Sequence, residues 1–276
     1  MPKYTVLDKD TIKTEIMPYL SIAKRGFSSK FDLVEMINAI LYKLKSGCQW
    51  RLLPIGHLFS GEGLSWKTVF YHFRKWSMRG EWQRIYSRVL MNNKSTLDLS
   101  IAHIDGSHSP VYRGGEKAKY QGRKKRSTTN AVFLADNQGI SLAMAEPQSG
   151  NHTDLYGIKQ RIDELMEQLS DANIPVDGLF CNLDAGFDSH VLRNALLSHG
   201  IIPNVCPNPR KGGETTHEWL YDEEMYEHRW KIERTNAWID SFKSVLNRFD
   251  TTLSSWKGWN FLAFIVIFLN NFHNSN

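Results

Sequence analysis

The sequence predicts an α/β protein in which a mixed sheet flanked by helices follows an all-α region, and three observations predict it. As far as Asn92 the chain reads as amphipathic helices joined by short turns. Beyond the polar stretch 92–98, short apolar runs alternate with helical patterns in the order three strands, helix, strand, helix, strand, then helices. An antiparallel start that turns into β-α-β units makes a mixed sheet with helices on both faces. Length and composition are the third observation. With 276 residues, 41% hydrophobic and 12% aromatic, the chain can fill one large or two modest domains, and it is not collagen-like, disordered or a disulfide scaffold. The polar stretch sets the expected boundary between a helical domain, residues 1–95, and a sheet domain, residues 96–276.

The elements follow in order. Residues 8–22 and 31–45 carry helical patterns; in the second, Leu33, Ile37, Ile40, Leu41 and Leu44 recur at i, i+3, i+4 spacing, and Gly47 supplies the stop. Residues 48–63, with Pro54 and Gly56, Gly61 and Gly63, read as a connection. Ser65 caps a helix on WKTVFYHFRKWSM, and a third helix, EWQRIYSRVLMNN, follows Gly80. Lys67, Arg74, Lys75, Arg79, Arg84 and Arg88 on these two helices suit a helical DNA-binding module, the competing reading being ordinary solvated basic faces. Strands are expected at 99–105, 130–135 and 140–145, the last two joined by an Asp-Asn-Gln-Gly turn. Asp154 is placed to cap a helix through about residue 169. The continuous apolar run 178–183 suits a buried strand, Asp188 is placed to cap a helix through 199, and 201–205 makes another strand. A long helical pattern covers 222–249, and 256–272 forms the last helix. Its apolar run 261–269, nine residues, is too short for a membrane span and reads as buried. Three cysteines without a CxxC pair support neither a zinc site nor a disulfide framework, and MPKYTVLDKD has no apolar signal region, so the reducing cytoplasm is the expected compartment.

Charge is divided along the chain. Residues 1–130 hold 23 Lys+Arg against 10 Asp+Glu, and residues 131–276 hold 11 against 19. A basic front half and an acidic back half suit a polyanion-binding part joined to a part rich in carboxylates. Two of those carboxylates stand at expected strand ends: Asp105 before Gly106, and Asp184 before Ala185-Gly186. Strand ends are where open α/β proteins place their chemistry. In the long helix, Tyr226, Arg229, Glu233, Asn236, Asp240 and Lys243 advance by three and four residues and line one polar stripe. A second stripe of Met225, Ile232, Ile239, Phe242, Leu246 and Phe249 is expected in the core. Docked beside the strand ends, Glu233 becomes a third carboxylate. Three such anions converge only with cations between them, and hard oxygen ligands favour Mg²⁺ or Mn²⁺, with two ions expected. Phosphates then need Arg123, Lys124, Lys125 and Arg126 between the first strands, with Arg229 and Lys243 on the helix. His103 and His108 flank Asp105, but a lone histidine near a strand end is more often just hydrogen-bonded.

These residues carry a resemblance. IDGSH, LDAGFDS and YEHRWKIERTNAWIDSFK, in this order behind NAILYKLKSGCQWRLLP and WKTVFYHFRKWSMRGEWQRI, resemble a DDE transposase of bacterial insertion sequences, insertion-sequence-5 family type. The resemblance covers nearly the whole chain. It implies a ribonuclease-H-like fold with Asp105, Asp184 and Glu233 as the catalytic and metal-binding triad. The signature of Tyr, two residues, Arg, three residues and Glu fits Tyr226, Arg229 and Glu233; it expects Lys where this chain has Asp240, and Lys243 lies three positions later. GNHTD also resembles the family, with Asp154 as a supporting group. The implied function is metal-dependent cleavage at terminal inverted repeats and joining to target DNA, by a homodimer or larger assembly on double-stranded DNA, nucleoid-associated and without membrane contact. The alternatives are a non-catalytic DNA-binding regulator and a metal-dependent nuclease without strand transfer.

Overall fold

The computed structural model describes residues 5–21, 31–58, 64–208 and 219–272. In chain order its main elements are α1 (Leu33–Ser46), α2 (Trp66–Met78), α3 (Glu81–Asn92), β1 (Ile101–Pro110), β2 (Lys119–Gln121), β3 (Arg126–Ala135), β4 (Ser141–Met144) and β5 (Gln148–Ser149). They continue as α4 (Ile158–Asp171), β6 (Phe180–Leu183), α5 (His190–Ser198), β7 (Ile202–Val205), α6 (Glu223–Glu227), α7 (Trp230–Asp240), α8 (Lys243–Leu246) and α9 (Leu253–Phe272). The chain divides into two compact units: Met1–Val89 with Tyr112–Glu116 and Ile239–Asn276, and Leu90–Val111 with Lys117–Trp238.

The first unit is helical. Asp32 accepts the Val34 N–H at 2.9 Å and Ser65 accepts the Thr68 N–H at 3.3 Å, so α1 and α2 start at side-chain caps. Gly47 ends α1 in the left-handed region at φ 67°. The expected connection after it holds a 3₁₀ turn, Trp50–Leu52, and a four-residue helix, Ile55–Leu58; residues 59–63 lie outside the described residues, as does residue 22 of the first helical pattern. That first pattern is realised as successive α, π and 3₁₀ turns over 9–19. The last helix, α9, is apolar on nearly every face and is buried accordingly. Trp259 stacks on Phe73 with ring centroids 3.8 Å apart, and Phe264 meets Tyr86 at 5.6 Å. A Cβ on Gly258 would stand 2.4 Å from Ser77 Oγ, so glycine there lets α9 approach α2.

The second unit is built on the sheet. Strand order is β2-β3-β1-β6-β7, with β4 and β5 also pairing with β3. β1 pairs antiparallel with β3 and parallel with β6, and β6 pairs parallel with β7. The sheet is thus mixed as the sequence predicts, and α4 and α5 carry the crossovers. β1 does not stop at Asp105: it continues to Pro110, because Gly106–Pro110 pair with β3 as far as Thr128. β3 likewise starts at Arg126, four residues before its apolar run.

The expected helix over 222–249 is three pieces. Neither glycine nor proline interrupts it; tertiary partners for its backbone and tightened turns do. Asn182 on β6 donates to the Met225 carbonyl at 2.7 Å, and Asn204 on β7 donates to the Asp222 carbonyl at 2.8 Å while accepting its N–H at 2.8 Å. Asn204 also donates to Asn182 Oδ1 at 2.8 Å. This buried ladder fixes α6 on the sheet. At the joins the chain tightens to i→i+3 bonds, Arg229 N–H to Tyr226 O at 2.9 Å and Phe242 N–H to Ile239 O at 3.0 Å. A second anchor holds α7: Thr235 Oγ1 donates to the Gly139 carbonyl at 2.7 Å, and Arg234 donates to that of Gln138. Of the expected core stripe Ile232, Ile239 and Phe242 are buried, but Met225, on α6, and Phe249, beyond the end of α8, are exposed.

Asn204→Ala removes the partner of Asn182 Oδ1 and of the Asp222 N–H, while the Asp222 carbonyl keeps the Tyr226 N–H at 3.1 Å. Unfolding in urea should show a loss of about 3 kcal/mol; a loss below about 0.5 kcal/mol would mean the ladder does not anchor α6.

Candidate active site

The parallel pairing of β1 with β6 ends at His103↔Asn182. Two residues beyond that pair stand Asp105, on β1, and Asp184, just past the end of β6, so the register brings them level at the edge where the parallel ladder stops. Asp184 opens a 3₁₀ turn, Ala185–Phe187, and accepts the Gly186 N–H at 2.9 Å. Glu233 lies in the first turn of α7, and Arg229 in the two-residue turn that precedes it.

All three carboxylates meet one cation. Arg229 Nη2 is 3.6 Å from Asp105 Oδ1 and 3.7 Å from Asp184 Oδ2, and its Nη1 is 3.4 Å from Glu233 Oε1. Asn236, one turn beyond Glu233, donates to Asp105 Oδ2 at 3.0 Å. Exposure rises across the set, from 18% at Asp105 to 41% at Asp184 and 68% at Glu233, so the electrostatic stress falls on Asp105. Its carboxyl is pushed up to about 6: burial raises it, Arg229 opposes, Asp184 raises it further, and the hydrogen bonds from Gly106 and Asn236 oppose. Among the described residues no three His, Cys, Asp or Glu side chains stand close enough to enclose an ion as they are; the guanidinium supplies the positive charge between them. The donor set nevertheless fits a divalent cation, being three hard carboxylates already gathered around one cationic group.

Asp154 belongs to this neighbourhood and is not the cap of α4. That helix starts at Gly157, in the left-handed region at φ 61°, with no side-chain cap. Asp154 instead accepts from Asn130 Nδ2 at 2.7 Å, and Arg161 donates to its backbone carbonyl at 3.2 Å. A Cβ on Gly106 would lie 2.2 Å from Asp154 Oδ1, which is why glycine follows Asp105. Asp188 is likewise not a cap: Ser189 caps α5, and Asp188 pairs with buried Arg193 at 3.0 Å. His103 is fully buried, and burial pushes its imidazole down to about 4, so it is neutral. His108 faces Thr128 Oγ1 at 3.1 Å.

The remaining basic residues are placed elsewhere. Arg123, Lys124 and Lys125 form the exposed turn between β2 and β3, where Gln121 Oε1 accepts the Arg123 N–H at 2.7 Å, and Arg126 begins β3. Tyr226 ends one turn before Arg229, its ring 5.5 Å from that of Tyr221, and burial pushes its phenol up to about 12. Lys243 lies on α8, and Lys67, Arg74 and Lys75 on α2, all in the helical unit. Sequence reasoning assigned no role to Asn182, Asn204, Asn130 or Asn236. The available signal was an asparagine inside each of two apolar strands, GLFCNL and IIPNV.

Residues 96–269 match the family model described as the transposase DDE domain. The chain belongs to that family. Ahead of this DDE transposase domain, residues 14–86 match the IS4/5-family transposase model DUF4096. The chain is 30% identical over 83 residues to the insertion element IS402 uncharacterized 16.2 kDa protein of Burkholderia cepacia; the match takes in 29% of this chain and 54% of that one, so it spans about half the length of this curated relative. A solved structure of the piggyBac transposase synaptic complex with hairpin DNA is similar at 11% identity, covering 98% of this chain and 74% of that one, with a TM-score of 0.50. That likeness is one of fold, and the fold is ribonuclease-H-like with an N-terminal helical region. Among the described residues no helix is long and apolar enough to cross a membrane.

Because Asp105 binds its proton more tightly folded than unfolded, its charge destabilises the metal-free protein above about pH 6. Stability from this group is recovered as pH falls through that value and is lost as pH rises from the unfolded value toward it. Asp105→Asn should therefore stabilise chelator-treated protein at pH 8 by up to about 3 kcal/mol, with the difference shrinking toward pH 5. Thermal melts of both proteins across that range check it; a destabilised variant at pH 8 contradicts it.

Proposed function

We propose that this transposase cleaves DNA at the terminal inverted repeats of its insertion sequence and joins the resulting 3′ ends to target DNA. The observation that carries the reading is the convergence of Asp105, Asp184 and Glu233 on one guanidinium, in a chain matched to the DDE domain from residue 96 to 269. These three residues are the proposed catalytic set and would hold Mg²⁺ or Mn²⁺, two ions in this reading. When bound, such ions supply Lewis-acid stabilisation of charge on the phosphate and an activated water or 3′-hydroxyl.

The protein's own groups do the positioning. Asn236 orients Asp105, and Gly186 N–H orients Asp184. Arg229 balances the carboxylates in the free protein, and as a guanidinium it is also suited to a phosphate once their charge is met otherwise. Tyr226 and Lys243 flank it in sequence as further DNA contacts. Arg123, Lys124, Lys125 and Arg126 present a compact cationic turn to the phosphate backbone, and Lys67, Arg74 and Lys75 do so from α2. In this reading residues 1–95 are the DNA-binding domain and residues 96–276 the catalytic domain. Pairing two element ends calls for a homodimer or larger assembly on DNA, in the cytoplasm where that DNA lies.

Mg²⁺-dependent cleavage of DNA carrying the element's ends should fall by at least ~10³-fold in Asp184→Ala and be abolished by chelation, while DNA binding in a mobility-shift assay is retained. Full cleavage by Asp184→Ala contradicts the assignment. Binding without cleavage by the wild-type protein would make it a regulator, and cleavage without joined products a nuclease.

A further inference from the structure

The helical unit holds a cavity that neither the carboxylates nor the basic helix faces account for. Its volume is about 960 Å³, and its walls include Trp50, Trp66, Phe70 and Phe249. Pockets for small organic ligands run from about 300 to about 1,000 Å³, so this one accepts a nucleotide with its sugar and phosphate. Cations are interleaved with the rings: Arg51 stands 5.8 Å from the Trp66 ring centre, Lys43 stands 5.6 Å from that of Trp50, and Arg113 also lines the wall. The lining carboxylate, Asp250, accepts from Trp259 Nε1 at 3.0 Å and is subject to the charge of Lys43, so it is committed within the protein. Phe249 stacks on Tyr112 at 5.1 Å with the rings 16° apart. Both are half exposed, at 51% and 52%, so a pair of parallel rings faces solvent where ordinary packing would cover it. The sequence pattern predicts Phe249 in the core; beyond the end of α8 it is exposed instead.

Aromatic faces with interleaved arginine and lysine are the means by which proteins hold unpaired bases, since every base has a π-face and its backbone a negative charge. We infer that this cavity binds one unstacked nucleotide of the DNA, its base between the rings and its phosphate at Arg51 and Arg113. The inference rests on the DNA-binding reading above. A DNA strand is favoured over a free nucleoside polyphosphate because the two exposed arginines come from separate segments, one beside Trp50 and one beyond β1. The site needs no base-specific contact, so it would act on an extruded or single-stranded nucleotide irrespective of sequence.

The test uses the full chain with a short duplex carrying one bulged 2-aminopurine, the same duplex with that base paired, and free dAMP. Wild-type protein should bind the bulged duplex about tenfold more tightly than the paired one, with quenched 2-aminopurine fluorescence on binding. Phe249→Ala and, separately, Trp66→Ala should each lose most of that preference and of the quench, while binding the paired duplex unchanged. Arg113→Gln should lower affinity for the bulged duplex and reduce its salt dependence. If wild-type protein binds both duplexes equally without a quench, or if the ring variants keep the preference, the inference is overturned and the DNA-binding reading stands. If dAMP binds as tightly as the bulged duplex, the occupant is a free nucleotide and the assignment to DNA is wrong. If neither duplex is bound, the DNA-binding reading fails and the inference with it.

Discussion

Three carboxylates gathered at one edge of a sheet repel one another, and the site persists only because a cation stands among them. In the free protein that cation is the Arg229 guanidinium, within 3.4–3.7 Å of all three. The strain is uneven. Glu233 is exposed and Asp184 half exposed, whereas half-buried Asp105 carries the desolvation and is pushed up to about 6. Much of the surrounding architecture bears on that constraint. The parallel register of β1 and β6 levels the two aspartates, and the Asn182–Asn204 ladder holds α6 against the strands that carry them. The Gly139 turn then fixes α7, whose exposed Glu233 meets Arg229 and whose Asn236 reaches Asp105.

Glycines mark where this packing is tightest. Gly106 leaves room for Asp154 behind Asp105, and Gly139, at φ 81°, lets the β3–β4 turn approach the Lys231 carbonyl within 2.9 Å of where a Cβ would stand. Neither position tolerates a side chain without moving an anchor of the site. The cost is a stretch of polar groups in the interior, Asn130, Asn182 and Asn204, which an apolar core would not need.

The elements legible in the sequence were those specified locally. Strand-length apolar runs placed β3, β4, β6 and β7, and the caps Ser65 and Gly47 set the limits of α1 and α2. Asp105, Asp184 and Glu233 were identifiable as a set from motif order. What escaped was decided by partners distant in sequence. Asp154 and Asp188 have the side chain of an N-cap, but Asn130 and Arg193 claim them. The 222–249 pattern keeps helical spacing throughout, yet at its first break Asn182 on β6 bonds the Met225 carbonyl and the Arg229 N–H turns to Tyr226 instead. The continuation of β1 past Asp105 is invisible in GSHSP, which has no apolar run and gains its strand geometry from β3. Arg229 could be seen as a phosphate contact; that it bridges all three carboxylates depends on the turn between α6 and α7, which periodicity does not reveal.

If Arg229 holds the place of a bound cation, it competes with one. The direct measurement is Mn²⁺ binding to the full chain without DNA, followed by loss of the free-ion electron paramagnetic resonance signal. Arg229→Gln should bind Mn²⁺ about tenfold more tightly than the wild-type protein, and Asp184→Asn more weakly. Unchanged or weaker binding in Arg229→Gln, with Asp184→Asn indistinguishable from wild type, would show that these carboxylates do not gather around a shared cation.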